Sequence, residues 1–179
     1  ATHAMALLVQ VLHARFGVEA GLATAVESYG NDQRILDLPH PDPRMARAAA
    51  ISMIPAPTQA ATCLGEALPW TRGRFDALAV RVPTPDVSIL DLGVTLSRDA
   101  DPDAVNAAFR AAALEAPGVL EILEAPLVSV DLRGRTASCI LDPWLTRAMS
   151  PRFIKVFGWY DNEAAYAARL VDLCRELAR

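Results

Sequence analysis

The sequence contains no long apolar run, no basic stretch and no glycine-rich phosphate loop, and each absence removes a class of function. A bilayer-spanning helix needs about 20 consecutive apolar residues, and none is present; the opening Ala1 to Phe16 also lacks a cationic leader and a small-residue cleavage pattern. The expectation is a cytoplasmic protein with no membrane partner. Acidic residues outnumber Lys and Arg, 21 to 17, giving a formal charge of −4 and a pI near 5.3. Without a cluster of cations to neutralise phosphates, nucleic acid is not expected as a partner. No GxGxxG opens a helix after a strand pattern and no P-loop appears, so no nucleotide-binding unit and no cofactor are expected within this chain. Cysteine is scarce: Cys63, Cys139 and Cys174 are far apart and form no CxxC pair, which fits reduced, mostly buried thiols. His3, His13 and His40 have no spacing that assembles a metal site, and none is expected.

What the chain has is hydrophobic bulk, 53% of 179 residues. That length suits one core, so a single domain over 1–179 is expected. The apolar content is high for an isolated domain and predicts that some apolar surface meets a second copy, a homo-oligomer.

Periodicity supplies the elements. Leu8, Val9, Leu12 and Phe16 follow Met5 as a helical stripe that stops at Gly17, and Leu7 and Val11 add a second apolar side to a largely buried helix. A strand is expected over Leu22 to Glu27, then a polar loop from Tyr29 to Arg44 long enough to be functional or held by a neighbour. Thr58 is placed to cap a short helix through Glu66 that ends before Pro69. Phe75 to Val82 and Ser88 to Leu96 have strand patterning, with half-buried antiparallel pairing expected. Asp101-Pro102 has the form of an N-cap and first-turn proline ahead of a face made by Val105, Ala108, Phe109 and Ala112. Val128 to Leu132 and Phe153 to Trp159 alternate as further strands, and Asp161 should cap a last helix that buries Tyr166, Leu170, Leu173 and Leu177. Strands outnumber helices with no regular alternation. That order predicts an α+β fold, a largely antiparallel mixed sheet with helices packed on one face.

The run Ala23-Thr24-Ala25-Val26-Glu27-Ser28-Tyr29-Gly30-Asn31-Asp32-Gln33-Arg34-Ile35-Leu36-Asp37-Leu38-Pro39-His40 is followed in order by four more distinctive blocks. These are Ala46 to Ala50 with Ile54-Pro55, Ala79-Val80-Arg81-Val82-Pro83-Thr84-Pro85, Pro126 to Asp131, and Trp159-Tyr160-Asp161-Asn162-Glu163. Together they resemble the C-terminal half of the phosphorylating glyceraldehyde-3-phosphate dehydrogenases, the catalytic and tetramer-forming domain, over nearly the whole chain. The resemblance implies the same α+β fold.

The departures fall on the chemistry. Glu27 stands where the family places its catalytic histidine, and on this register the family's nucleophilic cysteine falls immediately ahead of Ala1. In the family that histidine keeps the thiol ionised at a helix start. A carboxylate there would instead raise a neighbouring thiol's pKa by like-charge repulsion, so thiolate redox chemistry is not expected. Arg81 matches a phosphate-binding arginine, and Asp32 and Thr58 match binding-site positions. Gly30 replaces a phosphate-binding threonine, Met45 a second arginine and Gln59 a glycine. Asn162 matches the residue that holds the nicotinamide carboxamide and Tyr166 a neighbour of that ring, with Ala164-Ala165 in place of the usual Trp-Gly. Leu38-Pro39 matches a loop that reaches a neighbouring subunit's dinucleotide.

Each residue also has a purely structural role open to it: Glu27 in a bridge to Arg81 or Arg34, Asn162 at a helix cap, Tyr166 in the core. His3, in the first turn of the first helix, could form a His-carboxylate dyad with Glu27 suited to proton transfer. Three functions follow. The favoured one is a cofactor-independent acid/base enzyme of isomerase, lyase or cyclase type. Glu27 would be its general base, assisted by His3, and a small anionic or polar substrate would be bound through Arg81, Asp32, Thr58, Asn162 and Tyr166. The second is a non-catalytic oligomeric binding or scaffold protein, and the third is the catalytic half of a truncated or split NAD-dependent aldehyde dehydrogenase. A pocket closed by a Glu27–Arg81 bridge would favour the second over the first; Glu27 itself weighs against the third.

Overall fold

The stripe of the first helix packs as its spacing predicts: in α1 (Thr2–Phe16), Met5, Leu8, Val9 and Leu12 are fully buried. The computed structural model describes residues 1–178. The helix ends where Gly17 takes φ 67°, a left-handed conformation that costs a glycine nothing. There follow β1 (Val18–Ser28), β2 (Ile54–Ala56), α2 (Ala60–Ala67), β3 (Phe75–Val82), β4 (Ser88–Leu96) and α3 (Pro102–Glu115). The last third holds β5 (Leu120–Ile122), β6 (Cys139–Leu141), β7 (Arg147–Ser150), β8 (Phe153–Tyr160) and α4 (Asn162–Leu177).

The strands form one sheet in the order β2-β3-β1-β4-β8-β6-β5, with β7 also pairing on β8. The β1–β3 and β5–β6 ladders are parallel and the others antiparallel, the mixed, largely antiparallel α+β sheet expected. The antiparallel pairing expected for these two strands holds for β4, against β1 and β8, and for β3 against β2; β3 is parallel to β1, which lies between β3 and β4. The 83–87 link is long enough to step over one strand, roughly 10 Å from neighbour to neighbour.

On one face of the sheet Ala23, Ala25, Ala79, Leu90, Leu92, Val94, Ile154 and Val156 meet α1, Leu64 of α2, and Val105 and Phe109 of α3 in a single apolar cluster. Docking is close at Gly158, where a Cβ would lie 2.6 Å from the Cys139 sulfur and 3.2 Å from Leu8 Cδ1. The opposite face is partly bare: Leu22, Leu78 and Phe153 are 71%, 50% and 41% accessible. At its far end the 123–137 segment folds over Ile140 and Trp159 as a second, smaller cluster.

Two further expectations are corrected. The strand expected from Val128 to Leu132 is a 3₁₀ turn (Ser129–Leu132) in which the Asp131 carboxylate accepts the Val128 N–H at 3.0 Å, a local side-chain bond that outcompetes extended pairing. The last helix is capped by Asp161 as expected, yet Tyr166, Leu170, Leu173 and Leu177 are exposed and Ala165 is its one buried residue. Polar bonds hold α4 in place: Arg169 donates to the carbonyls of Gly118 and Thr136 and to the Ser138 hydroxyl. Thr58 accepts the Ala60 N–H at 3.2 Å, with Gln59 at the cap position, one residue later than expected. Among the described residues no helix is long and apolar enough to cross a membrane.

Candidate functional site

The parallel register of β1 and β3 makes Glu27 and Arg81 lateral partners. By strand alternation both project on the face of buried Ala25 and Ala79, so the apolar row on each strand ends in a charge. Arg81 Nη1 lies 3.2 Å from Glu27 Oε2 and also donates to the Ser28 carbonyl at 3.0 Å. The other carboxylate oxygen, Oε1, accepts the Tyr160 hydroxyl at 3.2 Å. The side chains of Glu27 and Arg81 are 14% and 29% accessible, so the pair is shielded from water. Burial and then the Glu27 charge push the Tyr160 phenol far above its ordinary pKa, which keeps it a proton donor toward the carboxylate; Ser88, its register partner on β4, acts in the opposite direction.

Beside this cluster is a cavity of about 230 Å³ lined by the first turn of α1 with Ser138, Tyr160, Asn162, Ala165 and Tyr166. His3, Asn162 and Tyr166, singled out from the sequence, meet here. His3 is not brought onto Glu27 as the dyad required; its ring stacks on Tyr166 with centroids 5.9 Å apart, while the carboxylate is held by Arg81 and Tyr160. Asn162 is not the cap of α4, because Asp161 accepts the N–H groups of Glu163 and Ala164. Tyr166 is not a core residue; it is 55% accessible at the cavity rim. Asp32 is exposed on the long segment after β1, and Thr58 bonds the start of α2; among the described residues no hydrogen bond joins either to Arg81.

Tyr160, Ser88 and the Ser28 carbonyl are the parts of the cluster that the sequence reading missed. Tyr160 shares the alternation of Ile154 and Val156 at the end of β8, and a tyrosine on a buried face needs a partner for its hydroxyl, which is the signal that could have found it. Cys139 is wholly buried and desolvation raises its pKa to about 12, whereas the expectation of mostly buried thiols is corrected for the other two: Cys63 is half-buried and Cys174 exposed. No group of three potential metal-ligating side chains occurs among the described residues.

Residues 1–162 match the family model described as glyceraldehyde 3-phosphate dehydrogenase, C-terminal domain. Similar curated proteins include glyceraldehyde-3-phosphate dehydrogenase of Geobacillus stearothermophilus, 47% identical over 178 residues, covering 99% of this chain and 53% of that protein. Glyceraldehyde-3-phosphate dehydrogenase 1 of Bacillus cereus is 49% identical over 173 residues, 96% of this chain and 52% of its own. The chloroplastic glyceraldehyde-3-phosphate dehydrogenase A of Zea mays is 46% identical over 173 residues, 96% of this chain and 43% of its own. The chain thus spans about half the length of the relatives it matches. On the match to the C-terminal domain model and the α+β sheet that carries it, this chain belongs to the glyceraldehyde-3-phosphate dehydrogenase family.

Proposed function

We propose that this domain has left the redox chemistry of its family and works as a non-catalytic binding and assembly module. The observation that carries this reading is the closed cluster: Glu27, in the histidine's place, is bonded through both carboxylate oxygens, one to Arg81 and the other to Tyr160. A carboxylate so engaged has each oxygen occupied by an internal donor instead of facing a substrate. The residues fit a nicotinamide cofactor only at its ring end, where Asn162 and Tyr166 line the cavity; no phosphate loop accompanies them. Assembly is assigned to the bare sheet face around Leu22, Leu78 and Phe153. The test is to incubate the protein with NAD, glyceraldehyde 3-phosphate and inorganic phosphate and to follow reduced nicotinamide. No turnover is expected; an enzyme-like rate would return the domain to dehydrogenase chemistry.

A second reading, the cofactor-independent acid/base enzyme with Glu27 as base, draws on the open cavity that adjoins Glu27 through Tyr160. A panel of small polar metabolites separates the two. Turnover of any member that is lost in Glu27→Gln, with melting unchanged, would support the enzyme; an unaltered panel supports the module.

A further inference from the structure

The carboxylate at Arg81 is delivered by the sheet. The parallel register fixes the backbones of Glu27 and Arg81 opposite each other, so the carboxylate is held within reach of the guanidinium for as long as β1 and β3 stay paired. Even a flexible tether presents a group to its partner at an effective concentration on the order of millimolar, and a register-locked neighbour is presented more strongly. The two donors, Arg81 Nη1 and the Tyr160 hydroxyl, converge on this carboxylate, one on each oxygen. Two donors aimed at one pair of oxygens form a cradle for an oxyanion, and here the protein fills it with its own side chain.

We propose that Glu27 is an autoinhibitory occupant of a small oxyanion niche, its carboxylate standing where a free oxyanion would otherwise sit between Arg81 and Tyr160. The inference rests on the reading of the cluster as closed and deepens it by naming what the closure excludes. With Glu27 in place its carboxylate offsets the Arg81 charge, and the Arg81 Nη1 donor is already shared between that carboxylate and the Ser28 carbonyl. With Glu27 truncated, Arg81 becomes a shielded cation whose remaining partner in the cluster is that carbonyl, and a shielded, unpaired charge recruits a counter-ion from solution. The planar guanidinium matches carboxylate, sulfate or phosphate oxygens. The anionic ligand expected at Arg81 from the sequence is therefore excluded from the native protein by residue 27.

The experiment compares thermal unfolding of the wild type, Glu27→Ala and Glu27→Ala/Arg81→Ala in inorganic phosphate, sulfate, acetate and chloride at matched ionic strength. Phosphate, sulfate or acetate should raise the melting temperature of Glu27→Ala by ~5–10 °C at about a hundredfold excess over Kd. The wild type and the double variant should respond no more than in chloride. Whichever oxyanion acts best sorts carboxylate from tetrahedral ligands. An equal response in the wild type, or none beyond chloride in Glu27→Ala, would overturn the proposal. If Glu27→Ala fails to fold, Glu27→Gln keeps the side-chain shape. Calorimetric titration with phosphate should then show affinity about tenfold or more above wild type, and equal affinities would sink the idea. These readouts register occupancy and not turnover, so catalysis found elsewhere would defeat the module assignment and leave this result standing.

Discussion

Residue 27 carries the proposal that the domain has left its family's chemistry, and its partners set the energetic consequences of changing it. Because Glu27 and Arg81 are shielded, removing one leaves the other charged and poorly solvated. Arg81→Ala should destabilise the fold by about 1–3 kcal/mol, below the value for a fully buried pair since 29% of the arginine side chain still meets water. Tyr160→Phe removes the other donor without changing shape and should cost about 1–2 kcal/mol by denaturant titration, because the Oε1 atom keeps no replacement. If Tyr160→Phe unfolds at the wild-type midpoint, the phenol is a spectator and the cluster reduces to a simple ion pair. Half of this cluster was legible in the sequence, since Glu27 and Arg81 stand out as charges ending apolar strands in a family block. The other half depends on β8 reaching across β4 to bring Tyr160 alongside Glu27, a three-dimensional adjacency that no local pattern encodes.

Among the elements, those with strong periodicity and a buried face were found from sequence nearly residue for residue, as with β3, β4 and α3. The exceptions share a cause. Alternation at Val128 to Leu132 and the stripe on α4 both mark apolar side chains, but most of these face away from this chain's own core: Val128 and Val130 are 57% and 66% accessible and Leu177 is 79%, while Leu132 alone of the alternating set is buried. Periodicity reports a face and not what covers it. The short strands β2, β5, β6 and β7 carry too few residues to show a period, and their place is set by the ladder beside them. The long segment after β1 is pinned by a polar bond instead of a core. Asp37 Oδ1 accepts the Ala48 N–H at 2.8 Å and Oδ2 pairs with Arg47 at 3.1 Å. The Ala48 bond, ahead of the Arg47 contributions, holds the Asp37 pKa below its ordinary value. A depressed folded pKa gives stability that is present above the unfolded carboxylate pKa and is lost as pH falls through the folded one. Exchange protection of the Ala48 amide should accordingly be full at neutral pH and fall on acidification below the ordinary aspartate range. Asp37→Asn should abolish that acid dependence; a profile that persists in the variant would place the titrating group elsewhere.

At the scale of the whole molecule, the sheet face and the α4 stripe are two of the apolar surfaces left uncovered among the described residues, and their positions differ in meaning. The face of the sheet is the back of the same strands that carry the core, and its exposed side chains come from the adjacent β1 and β3 and from β8, one strand further across β4. The α4 stripe lies on a helix tied down mainly by Arg169. A rigid face would lose little conformational entropy on meeting a copy of itself, which is why the proposed assembly is placed on the sheet. The substitution Leu22→Glu with Leu78→Glu places two carboxylates on that face without touching the main cluster, and surface changes of this kind usually alter folding by no more than about 0.5 kcal/mol. Sedimentation should show the wild type associating and the double variant reduced to monomer at the same concentration, with melting little changed, because the two carboxylates would be desolvated in the contact and Lys155, the cation on that face of β8, is already paired with Asp91. The corresponding change on α4, Leu170→Glu with Leu173→Glu, should leave the association intact. If the α4 variant is the one that falls apart, the assembly surface is the last helix and the sheet face is free for a different partner.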